Sequence, residues 1–261
     1  KFDNIKETYK GNVGIGHTRY ATSGDDSDML AQPFERPHGR LSKWFSISYN
    51  GNLSNYQDLV KQIIEVGYNI TYDSDTEIIM HYISRYLQES SDYKKCLQKL
   101  SQEFDGAWNL CFINAEGKFF ASRDPHGFHP LCYGVADDYV VVASESSVIS
   151  NLHLESKDLE PGTMLTIDPT SSSYTIDRYT DSKKSFCFFE YIYFANNASI
   201  CDDVSMYATR EKIGENLAQE EHLDITDKDL IVVPVPDTSY VAGSQYATTL
   251  QLPFILAIIK N

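Results

Sequence analysis

Apolar residues recur at the helical period from Ser54 to about Glu103 and at a period of two from Gly106 to Tyr179. This switch restricts the fold of the 261-residue chain more than any other feature. Ser54 followed by Gln57 has capping-box spacing; Tyr56, Leu59, Val60, Ile63 and Ile64 then form one stripe, which Gly67 closes. Ser74 to Glu77 repeats the cap, and Ile78, Ile79, Tyr82, Ile83, Tyr86 and Leu87 mark the buried side of a second helix. A third covers about Tyr93 to Glu103. Beyond it AWNLCFIN, GKFFASRD, LCYGVA, DYVVVASES, GTMLTID and SYTIDRY read as short strands between Gly, Pro, Asp and Asn turns. Helices preceding and covering a sheet-rich half predict a layered core of the α/β or α+β kind.

The flanks read differently. Val13 to Thr22 has a strand pattern, and Asn50-Gly51, between a strand and a helix start, reads as a tight turn. The polar run DSKKS at 181–185 is a linker. It is followed by a helix from Val204 to Glu221, a strand from Leu230 to Pro236, a helix over about Ser239 to Leu250 and a strand from Pro253 to Ile259. Strand, helix, strand predicts a βαβ unit that begins a parallel sheet. A boundary is therefore expected near residue 185, with domains 1–185 and 186–261. The chain starts at Lys1 without Met and stops just after a buried-strand pattern, so both ends are read as cut.

Charge and composition exclude several functions. A formal charge of -15 and a pI near 4.8 argue against nucleic acid and anionic membranes as partners. The longest apolar runs, such as Phe254 to Ile259, fall short of a bilayer, and the first residues have no signal core. A cytoplasmic location is expected, and the N-x-S/T sites at Asn52, Asn69 and Asn197 are then not glycosylated. Five cysteines with no C-x-x-C pair and no zinc-ligand spacing read as reduced thiols, and no metal site is expected among them.

Four clusters could carry chemistry: GHTRYAT at 16–22, YNGN at 49–52, SDTE at 74–77 and RDPHGFHPL at 123–131. Arg19 fits either a structural ion pair or a clamp for a carboxylate, whose two oxygens match the guanidinium fork. Asp75 at a helix start either complements the helix dipole or accepts an ammonium group. Asn50-Gly51 is either a turn alone or an oxyanion hole, in which a side-chain amide and a backbone N–H face one developing negative oxygen. Together these groups would make an amino-acid site.

The order GIGHTRYAT, AQPF, NGNLSNYQDL, SDTE, RDPHGFHPL, ASES, LEPG resembles the glutaminase domain of class II glutamine amidotransferases. CFFEYIYFA, MYATREKIGENLA and VVPVPDTSYVAG extend the resemblance, over nearly the whole chain, to the amidophosphoribosyltransferase branch. The resemblance implies an α+β fold: an N-terminal-nucleophile hydrolase αββα sandwich over 1–185, followed over 186–261 by the start of a type I phosphoribosyltransferase α/β domain. It implies that Arg19 and Thr22 hold the α-carboxylate of glutamine and that Asp75 takes the α-ammonium. Asn50 and Gly51 would form the oxyanion hole, and Tyr20 would couple the two sites. Glutamine would be hydrolysed by an amino-terminal Cys, and ammonia would pass through a channel to phosphoribosyl pyrophosphate, giving 5-phosphoribosylamine, glutamate and pyrophosphate for purine synthesis. Small-molecule substrates and a homo-oligomer are implied, as is Mg2+ accompanying phosphoribosyl pyrophosphate, with ligands outside this chain.

The sequence departs from the pattern in places. The nucleophile would stand about fifty residues before GHTRYAT, whereas only fifteen precede Gly16, so the chain as it stands lacks that Cys. Tyr49 replaces the His that commonly precedes Asn-Gly, His129 replaces an Arg, and Asn196 to Ser199 replace RPDS. Cys187 matches a position that ligates an iron–sulfur cluster in some members. Others keep it without a cluster, and the remaining ligands would lie outside this chain. A catalytically inactive glutamine-binding paralogue and a glucosamine-6-phosphate synthase-like amidotransferase are the alternatives, although PVPDTSYVAG fits a sugar isomerase poorly.

Overall fold

The computed structural model describes residues 11–18, 28–168, 170, 173–224 and 229–259. The fold is α+β, with helices set against antiparallel sheets, and it divides into two compact units. The first unit comprises 1–131, 136–140 and 159–186; the second comprises 132–135, 141–158 and 187–261.

The first unit is built on a six-stranded antiparallel sheet. Its strands are β1 (Phe34–Arg36), β2 (Phe45–Leu53), β3 (Gly106–Asn114), β4 (Phe119–Ser122), β8 (Thr163–Ile167) and β9 (Tyr174–Arg178), in the spatial order β1-β2-β3-β4-β8-β9. Alternation puts Phe45, Ile47 and Tyr49 of β2 on one face with Leu110 and Phe112 of β3 and Phe120 of β4, all buried. Phe112 and Phe120, paired across the strands, stack with centroids 4.7 Å apart.

Three helices cover this face: α1 (Tyr56–Glu65), α2 (Asp75–Glu89) and α3 (Tyr93–Glu103). Each falls where the apolar period predicts it. Leu59 and Ile63 of α1, and Cys96, Leu97 and Leu100 of α3, are buried on one stripe. The central helix α2 is buried on nearly every side, from Thr76 to Leu87, because α1, α3, β1 and β2 all pack on it. Burying each such Leu or Ile side chain contributes about 1.5–3 kcal/mol, so this layer holds the sheet in place.

The second unit has a three-stranded sheet of order β6-β5-β7, formed by β5 (Cys132–Val135), β6 (Val140–Ala143) and β7 (Lys157–Asp158). The helix α4 (Ser146–Asn151) packs on β5, where the missing side chain of Gly134 makes room: a Cβ there would sit 2.5 Å from Ile149 Cγ2. The hairpin β10 (Ile200–Cys201) and β11 (Val204–Ser205) leads into α5 (Met206–Gln219), and α6 (Tyr240–Leu250) crosses it. Gly214 permits the crossing, since a Cβ there would meet Ala242 O at 2.2 Å. The buried Arg210 of α5 donates to Tyr191 O and Ala195 O, both at 2.8 Å, and so fixes a π-helical turn at Glu190–Phe194 and the segment after it.

Several local expectations are corrected. Residues 13–18 carry no strand, and the rest of the predicted Val13–Thr22 strand includes positions outside the described residues. The strands expected at 230–236 and 253–259 shrink to one parallel bridge, Val232 to Phe254, flanking α6. Val232 N–H donates to Pro253 O and Ile255 N–H to Val232 O, but no strand among the described residues extends the pairing on either side. The ASES run leaves the strand after Ala143, the last residue of β6, and by Ser146 has begun α4.

Asn50-Gly51 is not a turn. Both residues lie inside β2, where Asn50 pairs with Asn109 and Gly51 with Trp108. Glycine is needed there for close approach: a Cβ on Gly51 would lie 2.0 Å from Ala107 O and 2.6 Å from Ala107 C.

Candidate functional site

β2 outlasts its neighbour β1, and the open edge this leaves is the centre of the site. On this side β1 reaches only to Phe34, opposite Ile47, so from Tyr49 onward the outward N–H groups of β2 face no strand among the described residues. The carboxamide of Gln32 takes the first, its Oε1 accepting from Tyr49 N–H at 2.6 Å. This gives the AQPF motif a local role. The third, Leu53 N–H, donates to Asp75 Oδ2 at 2.9 Å. Between them, by the two-residue period of a strand, the N–H of Gly51 points off the same edge, with no strand opposite it among the described residues.

Asp75 is the first residue of α2, placed there by a cap at Ser74, whose Oγ accepts from Glu77 N–H at 3.3 Å. Glu77 does not close a capping box. Its buried carboxylate reaches further back, Oε1 to Thr71 N–H at 2.8 Å and Oε2 to Tyr72 N–H at 2.5 Å, and shapes the loop that delivers Asp75. Tyr56 of α1 holds the same loop by donating to Asp73 Oδ1 at 2.6 Å.

Asp75 Oδ2 also accepts from the buried Tyr49 hydroxyl at 3.2 Å, and that hydroxyl lies 3.2 Å from Ala107 O. Oδ1 accepts no hydrogen bond among the described residues. Burial raises the Asp75 carboxyl above its ordinary value; the Leu53 N–H and Tyr49 hydroxyl bonds oppose the shift, while the charge of Asp73 adds to it. A half-buried carboxylate with one oxygen saturated and the other open suits a cationic donor.

Asn50 is exposed, and it shares the sheet face opposite the helices with its buried partner Asn109. Asn109 Nδ2 donates to His129 O and Pro130 O at 3.2 and 3.1 Å, while its Oδ1 accepts from Asp124 N–H at 3.3 Å. Asn109 thus pins the RDPHGFHPL loop beside Asn50. The loop folds on its own first two residues. Arg123, 1% exposed, donates to the carbonyls of His129, Gly127 and Leu159 at 3.0–3.1 Å. Asp124, fully buried, accepts from His126 and Gly127 N–H at 2.8 Å. Burial raises the Asp124 carboxyl; the N–H bonds of Gly127 and His126 oppose that shift most, with Arg123 adding to the opposition. Sequence reasoning singled out this motif without a role, and the loop it builds is a wall.

Of the residues expected at the site, Asn50 and Gly51 lie on β2, and Asp75 is tied to the same strand through Leu53 N–H. Arg19, Tyr20 and Thr22 lie outside the described residues. Tyr49, noticed in the sequence only as a replacement, proves to brace Asp75 directly.

No disulfide joins the five cysteines. Burial pushes the thiols of Cys96 and Cys111 up to about 12, so neither is a thiolate at neutral pH. No group of three or more His, Cys, Asp or Glu residues among those described could hold a metal. Half-buried Cys187 has no companion ligands there, so the described residues do not fit an iron–sulfur cluster. No helix of the described residues is long and apolar enough to cross a membrane.

Residues 17–151 match the glutamine amidotransferase domain family. The chain is 34% identical over 256 residues to an amidophosphoribosyltransferase of Archaeoglobus fulgidus, covering 98% of this chain and 54% of that one. It is 31% identical over 283 residues to an amidophosphoribosyltransferase of Rattus norvegicus, covering 99% and 53%. Among solved structures, it superposes on the glutamine phosphoribosylpyrophosphate amidotransferase of B. subtilis, solved with ADP and GMP. The TM-score is 0.80 and the identity 29%, over 94% of this chain and 51% of that one. The chain therefore spans about half the length of the relatives it matches.

Proposed function

The chain belongs to the glutamine amidotransferase domain family, and from that premise we propose that it is the amidotransferase half of an amidophosphoribosyltransferase. In this reading the complete enzyme hydrolyses glutamine and passes the ammonia to phosphoribosyl pyrophosphate, releasing 5-phosphoribosylamine, glutamate and pyrophosphate. Residues 1–185 form the glutaminase domain, with the layered fold of N-terminal-nucleophile hydrolases, and 186–261 open a type I phosphoribosyltransferase domain. The protein acts in the cytoplasm as a homo-oligomer.

The α-ammonium of glutamine docks on Asp75 Oδ1, while Arg19 and Thr22 take the α-carboxylate. A Cys at the amino terminus of the complete protein attacks the side-chain amide. The tetrahedral oxyanion then lies off the edge of β2, where Gly51 N–H and the Asn50 carboxamide can both donate to it. Removing one such donor costs about 10²–10³ in kcat, because it acts where charge develops. Tyr20 couples the arrival of phosphoribosyl pyrophosphate to glutamine hydrolysis. Mg2+ would accompany that substrate at ligands outside this chain, where it would supply neutralisation of pyrophosphate charge.

The observation that carries the reading is the adjacency, on one strand edge, of a carboxylate oxygen and a backbone N–H that have no partner among the described residues. Leu53 N–H, which anchors Asp75, is two residues from Gly51. The test is an assay of pyrophosphate release by the full-length protein. Release that requires both glutamine and phosphoribosyl pyrophosphate supports the reading; glutamine hydrolysis that is indifferent to phosphoribosyl pyrophosphate and yields no pyrophosphate overturns it.

A further inference from the structure

Tyr49 is the residue of the site that has no assigned task, yet it touches the group assigned to substrate recognition. Its hydroxyl lies 3.2 Å from Asp75 Oδ2, its side chain is 5% exposed, and its backbone is fixed between Gln32 on one edge and β3 on the other. We propose that Tyr49 is a positioning residue that sets recognition of the substrate α-ammonium by holding Asp75 in a single-acceptor orientation. The proposal rests on the assignment of Asp75 to the ammonium.

The argument is one of counting donors. A carboxylate has two oxygens and about four lone-pair directions. Leu53 N–H and the Tyr49 hydroxyl both fall on Oδ2, which leaves Oδ1 without a hydrogen bond among the described residues. Leu53 N–H by itself would let the carboxyl group rotate about that single bond. A second donor from a different direction removes this freedom. The phenol is well suited to the task because it is buried in the helix-covered face, and burial pushes its own pKa well above the usual value, with Asp75 adding to the shift. It therefore remains a donor across the physiological range. Because Tyr49 and Leu53 belong to the same strand as Asn50 and Gly51, the acceptor for the ammonium and the donors for the oxyanion share one rigid frame.

The hydroxyl has one proton and two acceptors in reach, Asp75 Oδ2 and Ala107 O, each at 3.2 Å. The charged acceptor is the stronger. Ala107 O is thus the alternative acceptor, and the proton goes to Asp75 while that group is charged.

The test pairs an enzyme change with a substrate change, in the full-length protein. Tyr49→Phe keeps the ring and removes the hydroxyl, and glutaramic acid is glutamine without the α-amino group. The readouts are kcat and KM for L-glutamine and the inhibition constant of glutaramic acid against it. The expected result is a roughly tenfold rise in KM for glutamine with kcat changed less than twofold, and an unchanged inhibition constant for glutaramic acid. Tyr49→His, which retains a donor, should restore part of the preference for the amino compound and serves if the Phe variant folds poorly. Equal weakening of both ligands would make Tyr49 merely structural, and no change in either would remove it from recognition; both results overturn the proposal. Asp75→Asn separates the premise: if it too leaves the preference for the α-amino group intact, the assignment of Asp75 fails first.

Discussion

Gly51→Ala tests whether the site depends on close approach of two strands. The added Cβ would sit 2.0 Å from Ala107 O, whereas ordinary contact begins near 3.4 Å, so β2 or β3 must give way by about 1.4 Å. The obstacle is backbone, not the flexible end of a side chain, and nine paired positions on β2 and β3 resist the shift. The nearest ladder positions, Asn50 with Asn109 and Asn52 with Ala107, would open beyond hydrogen-bonding distance. Each such bond contributes about 1 kcal/mol net, and overpacking adds about 1–3 kcal/mol, so a loss of about 3–5 kcal/mol is expected. That is a large share of the about 5–15 kcal/mol typical of a folded protein. The assay is urea unfolding followed by tryptophan fluorescence, because Trp108, one of two tryptophans, is buried directly opposite Gly51. Gly39→Ala is the control, since a Cβ there meets nothing within 4 Å and should change stability by less than about 0.5 kcal/mol. If Gly51→Ala costs less than about 1 kcal/mol at an unchanged denaturant slope, the close-approach argument is wrong.

Two further outcomes are expected. Arg123→Met strips the carbonyls of His129, Gly127 and Leu159 of a buried donor, and should cost about 3–5 kcal/mol and open 124–130 to limited proteolysis; a loss below about 1 kcal/mol with unchanged cleavage contradicts the wall assignment. His81 lies in the core with Nε2 3.5 Å from Glu77 Oε1; burial depresses its pKa, the charge of Arg36 adds to this and the Glu77 carboxylate opposes it. Because the unfolded chain then protonates first, its contribution is full above the ordinary value near 6.5 and is lost as pH falls towards the lower folded value. The urea midpoint should therefore drop between about pH 7 and pH 5 less steeply in His81→Gln than in the parent, and identical slopes would refute the assignment.

The helical layer was legible because its signal is local. The stripes of α1 and α2 and the cap before α2 are written in consecutive residues, and Tyr93–Glu103 falls where the pattern puts it. The misreadings concern properties that belong to a partner strand. An Asn-Gly pair advertises a turn, and only β3, through Ala107 O, reveals that this glycine is there for proximity. β1 and α4 are too short, at three and six residues, for a period to emerge. Val232 and Phe254 show the beginning of parallel pairing, which a strand needs neighbours to complete. At the site, residue types pointed to Asp75 but could not reveal which of its oxygens is left open, since that follows from Tyr49 and Leu53 converging on the other.

The open edge of β2 also acts as a ruler. Outward N–H groups on a strand recur every second residue, about 6.6 Å apart, so the gap between the Gly51 donor and the Leu53 anchor of Asp75 is a repeat of the polypeptide itself. Substitutions can retune the charge or hydrogen bonding at either mark without moving them. Inserting or deleting a single residue between Tyr49 and Leu53 would instead reverse the facing of every group beyond it, exchanging edge for interior. Length in this short stretch is therefore far less free to vary than composition.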